Sequence, residues 1–119
     1  MKDFIRIMKA LSEPNRVKIL KVLQRGSLCV CEIQAILDLA QPTVSIHLKV
    51  LEDAGLVSYQ KDGLWVNYRL SDGRRTPYAA VLLGCLQHWL NDVPEVAQLL
   101  AGVSKVSRKQ LKELPRQRL

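Results

Sequence analysis

Gln41-Pro42-Thr43-Val44-Ser45-Ile46-His47-Leu48-Lys49-Val50-Leu51-Glu52-Asp53-Ala54-Gly55 is the stretch on which the reading of this chain turns. At about 100° per residue, Val44, Leu48 and Leu51 fall within a narrow arc and face a core, while Pro42, Thr43, Ser45, Ile46 and Lys49 are left outside. Pro42 suits the opening turn of a helix and Gly55 suits its end. Immediately upstream, Ile33, Ile36 and Leu37 form the apolar stripe of a shorter helix, with a turn around residues 38–41. Two short helices joined by a tight turn, the second with a small polar outer face, make a helix-turn-helix.

Downstream, the period of the pattern changes. Leu56 to Lys61 and Leu64 to Leu70 flank Asp62-Gly63, a connection that predicts a tight hairpin. Leu64, Val66, Tyr68 and Leu70 alternate with Trp65, Asn67 and Arg69, the pattern of a half-buried strand, so the hairpin reads as a wing. Beyond it, Tyr78, Val81, Leu82, Cys85, Leu86 and Trp89 recur at helical spacing in a longer helix, and Pro94 opens a last one carrying Val96, Leu99 and Leu100. Upstream lie a first helix, Asp3 to Leu11, with Phe4, Ile5 and Met8 on one side, and a second with Ile19, Leu20 and Leu23, ending at Gly26. Ser12 is expected to cap that second helix, with Pro14 in its first turn. The predicted fold is mainly α with a β-hairpin wing, a winged helix-turn-helix. Its terminal helices carry more apolar surface than so small a domain hides alone, which predicts a homodimer through Phe4, Met8 and the Tyr78 to Trp89 stripe.

The 119 residues suffice for one core, 48% of them are apolar and 24% charged, and the net charge is +7. Most of that charge sits at the end: residues 104–119 hold Lys105, Arg108, Lys109, Lys112, Arg116 and Arg118 against Glu113 alone. Residues 1–103 are therefore expected to form the DNA-binding and dimerisation domain and 104–119 a basic, mobile tail. No apolar run is long enough for a membrane span and the start lacks a signal-peptide pattern, so the expected location is the cytoplasm. Three cysteines make a poor disulfide framework and suit free thiols or ligands.

In a winged helix-turn-helix the second helix of the motif enters the major groove. Its outward residues here are Gln41, Thr43, Ser45, Ile46 and Lys49, with His47 at the margin. Gln41 has the donor and acceptor pair that suits adenine, and Ile46 the surface that suits a thymine methyl group. Lys61, Asn67 and Arg69 in the wing are placed for phosphate or minor-groove contact. A dimer presents two such helices, so the expected partner is double-stranded operator DNA carrying an inverted repeat.

Cys29-Val30-Cys31 is the most chemically pointed feature. Cysteines at i and i+2 project to the same side of an extended segment, whereas in an ideal helix they diverge by about 200°. Both lie near a predicted helix start, where the helix dipole favours thiolate, and soft thiolates select soft ions. The thiols also fit redox sensing, and structural cysteines in a non-sensing nucleic-acid-binding or interaction module are a further reading. The histidines, His47 and His88, have no evident nucleophile or carboxylate partner and there is no glycine-rich phosphate loop, so no enzyme is expected.

Leu28-Cys29-Val30-Cys31-Glu32, then Gln41 to Leu48, Ala54-Gly55-Leu56-Val57 and the segment Asp62 to Leu70 together resemble the ArsR family of metalloregulatory repressors, across roughly residues 3–90. The resemblance implies a dimer that holds its operator and leaves it when an ion binds, with Cys29 and Cys31 in the inducer site. It implies trivalent arsenic or antimony as inducer and a role in arsenical resistance, with cadmium, lead, zinc or another thiophilic metal ion as alternatives. Arsenite sensors of the best-known type carry a third cysteine where this chain has Gln34. Cys85 is the remaining candidate ligand, and a two-thiol site suits an arsenical that already bears an organic group.

Overall fold

The computed structural model describes residues 1–105; the greater part of the proposed tail, residues 106–119, lies outside the described residues. In chain order the elements are α1 (Lys2–Leu11), α2 (Pro14–Leu23), β1 (Leu28–Cys29), α3 (Val30–Leu37), α4 (Gln41–Asp53), β2 (Val57–Asp62), β3 (Trp65–Leu70), α5 (Ala79–Leu86) and α6 (Pro94–Lys105). Val44, Leu48 and Leu51 of α4 are fully buried against Ile19 and Leu20 of α2, Ile33 of α3 and Ile7 of α1, as the helical spacing requires. The turn between α3 and α4 begins at Asp38, whose φ of 56° closes α3 in a left-handed cap.

Ser12 does not cap α2. Its hydroxyl donates to the Lys9 carbonyl at 2.8 Å and closes α1 instead, while Glu13 takes the capping position and accepts from the Arg16 amide at 3.0 Å. A hydroxyl can serve the helix that ends or the one that begins, and with Pro14 directly after Glu13 the longer carboxylate reaches the free amide.

The hairpin forms one residue further on than the Asp-Gly reading placed it. Asp62 remains in the ladder opposite Trp65, so Gly63 and Leu64 make the turn. Only Gly63 of the two has positive φ, at 63°, the arrangement of a turn with glycine in first place. The sheet has three strands in the order β1-β3-β2, all antiparallel. β3 is therefore central, with β1 and α3 against it, and its inside-outside alternation is blurred: Val66, Asn67 and Tyr68 are all half-buried.

The helix expected to reach Trp89 is shorter. α5 ends at Leu86, and residues 87–93 turn a corner into α6, with Leu90 at φ 67°. Its periodicity continues in sequence, but the carbonyls of Leu86 and Trp89 are drawn onto the ammonium of Lys21, at 2.5 and 2.8 Å, and Asn91 Oδ1 accepts from the same group at 2.6 Å. Lys21 is fully buried on α2. Burial pulls its pKa down, and the charge of Arg25 adds to this. Three neutral acceptors at the end of a helix replace the water that the ammonium gave up. We expect Lys21→Met to lower stability by about 2 kcal/mol in urea unfolding near neutral pH, since three acceptors lose their donor while the cost of burying a charge is relieved.

Candidate nucleic-acid interface and thiol site

α4 presents Gln41, Pro42, Thr43, Ile46 and Lys49 to solvent, with Ile46 65% exposed, and Ser45 is partly covered. The Gln41 amide donates to Ser45 Oγ at 2.8 Å, so these two side chains are tied to each other along the helix face. Lys49 lies 3.3 Å from Asp53 and 3.6 Å from Glu52, and these carboxylates raise its pKa. A phosphate that recruits it must compete with both.

His47 is set differently from its neighbours. Its side chain is 14% exposed and Nε2 lies 3.7 Å from the Glu13 carboxylate, so the carboxylate partner that the sequence did not reveal is the cap of α2. Nδ1 is buried without a partner among the described residues. The imidazole thus faces the start of α2 rather than the outward surface of α4.

In the wing, Lys61 and Arg69 are exposed and Asn67 is half-buried. Arg69 Nε donates to Ser58 Oγ of the paired strand at 3.4 Å. The base of the wing is tied to the end of α4, because Ser71 Oγ donates to the Gly55 carbonyl at 2.6 Å and Arg75 donates to the Glu52 carbonyl at 2.8 Å.

Cys29 and Cys31 occupy the junction of β1 and α3, and their sulfurs are 2.8 Å apart. Cys29 is the last residue of β1, paired with Asn67 of the wing, and also the cap of α3 with φ −82° and ψ 167°. Its extended conformation lets its side chain and that of Cys31 converge although Cys31 lies within the helix. The Glu32 carboxylate reaches back three positions and accepts from the Cys29 amide at 2.9 Å, the reciprocal arm of a capping box. Sequence reading passed over this residue, although its spacing from Cys29 was the signal.

The expectation of a ready thiolate is corrected by burial. Cys29 is 1% exposed, and desolvation pushes its thiol well above the ordinary value, with the hydrogen bond to Cys31 acting in the same direction. The Glu32 amide at the helix start does pull the pKa down, as the dipole argument required, but more weakly. Cys85 is half-buried in α5. Among the described residues of one chain, no three Cys, His, Asp or Glu side chains gather closely enough to hold a metal ion, so Cys85 does not join the pair within the chain.

The family described as bacterial regulatory protein, arsR family, matches residues 13–59, which run from the cap of α2 to β2. An HTH-type transcriptional regulator of Methanocaldococcus jannaschii is 46% identical over 69 residues, covering 57% of this chain and 78% of that protein. The chain belongs to the ArsR family. The arsenical resistance operon repressor of Escherichia coli K12 is 43% identical over 68 residues, covering 56% of this chain and 58% of that protein. A cadmium resistance regulatory protein CadC homolog of Staphylococcus aureus is 42% identical over 71 residues, covering 59% of each. The chain thus spans under two thirds of the length of these last two relatives. Among solved structures, HlyU from Vibrio cholerae superposes with a TM-score of 0.64 at 28% identity, covering 75% of this chain and 92% of that one. A homodimeric winged helix-turn-helix DNA-binding domain from Mycobacterium bovis gives 0.64 at 26%, covering 79% and 83%. The fold is therefore a winged helix-turn-helix, and this ArsR-family chain is a transcriptional regulator rather than an enzyme. Among the described residues no helix is long and apolar enough to cross a membrane.

Two outcomes follow from these contacts. A thiol that holds its proton more tightly when folded stabilises the fold below its ordinary value of 9.0 and loses that contribution as pH rises above it. Above that pH the wild type should lose up to about 1.4 kcal/mol per pH unit relative to Cys29→Ser in chemical unfolding; the opposite contribution of Lys21, whose pKa is lowered, cancels between the two proteins. His47→Ala should cost roughly 1 kcal/mol in stability and leave the preference among operator base changes as it was, which competition binding with substituted duplexes measures.

Proposed function

We propose that the protein is a homodimeric repressor that binds an inverted-repeat operator and leaves it when a trivalent arsenical, such as arsenite, antimonite or methylarsenite, bonds to Cys29 and Cys31. The observation that carries this reading is the 2.8 Å contact of two sulfurs at the junction of β1 and α3. The names of the arsenical resistance relatives point the same way.

Two sulfurs in direct contact leave no room for an ion to bond to both, so capture requires the pair to open. Neither residue moves alone. Cys29 is laddered to Asn67 of the wing and capped by Glu32, and Cys31 belongs to the first turn of α3. Opening the pair therefore pulls on the supporting helix of the DNA-reading unit and on the wing together. Both sulfurs must shed their protons to bind, and the buried thiol of Cys29 does so reluctantly, which favours an inducer that forms strong covalent bonds to sulfur. An arsenical bearing one organic group needs only these two sulfurs.

α4 supplies Gln41, Thr43, Ser45, Ile46 and Lys49 to the major groove, and Lys61, Asn67 and Arg69 follow the backbone beside it. In this arrangement His47 positions α4 rather than reading bases. The dimer forms where Phe4 stacks edge-on against Tyr78, at 5.3 Å, joining α1 to the start of α5. Phe4 and Val81, in α1 and α5, are 37% and 64% exposed, apolar surface that a second copy removes from water.

The test is operator binding by fluorescence anisotropy, with arsenite, methylarsenite, cadmium and peroxide added separately. Wild type and Cys85→Ser should lose operator affinity roughly tenfold to a hundredfold with an arsenical, while Cys29→Ser and Cys31→Ser bind the operator normally and stay bound. Release by cadmium or by peroxide alone would replace the arsenical reading with a cadmium or a redox one. An arsenical response that survives in Cys29→Ser would remove the two-sulfur site altogether.

A further inference from the structure

Cys29 and Glu32 hold each other at the start of α3 in both directions. The Cys29 sulfur faces the Glu32 amide, and the Glu32 carboxylate accepts from the Cys29 amide at 2.9 Å. That same sulfur lies 2.8 Å from Cys31 Sγ and belongs to the pair that the proposed inducer takes. Capture therefore withdraws the arm of the box made by sulfur and leaves the arm made by the carboxylate.

The remaining arm is built to last. Glu32 is only 6% exposed, so little water competes for its bond to the Cys29 amide. Among the described residues Glu32 and the two cysteines do not form a set able to hold a metal ion, so this side chain serves the backbone rather than an ion. Without it, Cys29 is joined to α3 through the chain alone. Its φ of −82° and ψ of 167° lie outside the helix, and these two torsions are soft compared with the hydrogen-bonded turn that follows. On its other side, β1 is only Leu28–Cys29, a two-residue ladder on β3. A residue held so briefly by its strand turns by itself unless something fixes it to the helix.

We propose that the hydrogen bond from the Cys29 amide to Glu32 carries movement of the Cys29 sulfur into α3, which makes Glu32 the positioning residue that couples inducer capture to operator release. With the bond in place, Cys29 and the first turn of α3 move as one body, and α3 packs on α4 through fully buried Ile33, Val44 and Leu48. With the bond removed, Cys29 reaches the inducer by turning about its own backbone, and α4 stays where the operator holds it. The inference rests on the two-sulfur arsenical reading and names the contact through which that reading acts.

The experiment compares wild type, Glu32→Gln and Glu32→Ala. Operator affinity with and without methylarsenite is read by fluorescence anisotropy, and methylarsenite affinity of the operator-free protein by calorimetry. Wild type should lose operator affinity roughly tenfold to a hundredfold, and Glu32→Gln, whose side-chain oxygen accepts the same bond, should do likewise. Glu32→Ala should bind methylarsenite within about threefold of wild type yet release the operator by no more than about threefold. A merely structural Glu32 would instead lower operator affinity before any inducer is added and leave the release ratio as it was. Because Glu32→Ala also loses a helix cap, a measurement on wild type stands beside it: hydrogen exchange at the Cys29 amide should stay slow with methylarsenite bound. The inference is overturned if Glu32→Ala releases the operator like wild type or, while folded, no longer binds methylarsenite. It is equally overturned if Glu32→Gln loses release, or if the Cys29 amide loses protection on capture. If wild type itself keeps its operator in methylarsenite, the arsenical reading has failed first and takes this coupling with it.

Discussion

Cys29 ends a strand and starts a helix, and the rest of the reading unit is arranged around that double membership. Its backbone pairs with Asn67 in the wing, its amide is held by Glu32 of α3, and its sulfur rests on Cys31. The strand side fixes its extended conformation, and the helix side fixes the direction in which α3 leaves. α3 in turn packs on α4 through Ile33, Val44 and Leu48, all fully buried. Close packing of this kind transmits a displacement rather than absorbing it. A shift between two sulfurs is small in itself, but here one is laddered to β3 and the other lies within α3.

The far side of the molecule is organised by a different device. Lys21 gathers the ends of α5 and the following turn by charge rather than by apolar contact, and the ring pair Phe4–Tyr78 joins α1 to the start of α5. One end of the domain thus carries the helix-turn-helix and the wing, and the other the exposed apolar side chains of α1 and α5. α2 runs between them, contributing Ile19 and Leu20 to the common core and Lys21 to the corner.

How much of this the sequence disclosed depends on the range of the interactions. α4 was legible because Val44, Leu48 and Leu51 bury one face and Gly55 ends it, and all of this information is local. The wing was legible to within one residue, since glycine marks the turn but does not decide which neighbour stays in the ladder. β1 was not, because it is only Leu28–Cys29 and its partners, Tyr68 and Asn67, lie far along the chain. The extent of α5 was misread for a similar reason: Trp89 keeps helical spacing, yet the backbone there answers to Lys21. Of the thiol site, proximity of the two sulfurs was foreseeable from the extended conformation of Cys29. The raised pKa of Cys29 was not, because its desolvation depends on burial that distant segments supply. His47 was legible as a residue at the margin of α4, but its carboxylate neighbour comes from the cap of α2.

Two glycines in the wing region divide the tolerance of the fold to change. At Gly73, with φ 78°, an added β-carbon would come within 2.7 Å of the Ala80 backbone, so the passage from the sheet to α5 admits no bulk. At Gly63, in the turn, nothing lies within 4 Å of such an atom. A side chain at Gly63 would meet no neighbour but would have to hold a positive φ, so the hairpin tip resists substitution through its backbone alone, whereas the passage into α5 resists it through contact as well.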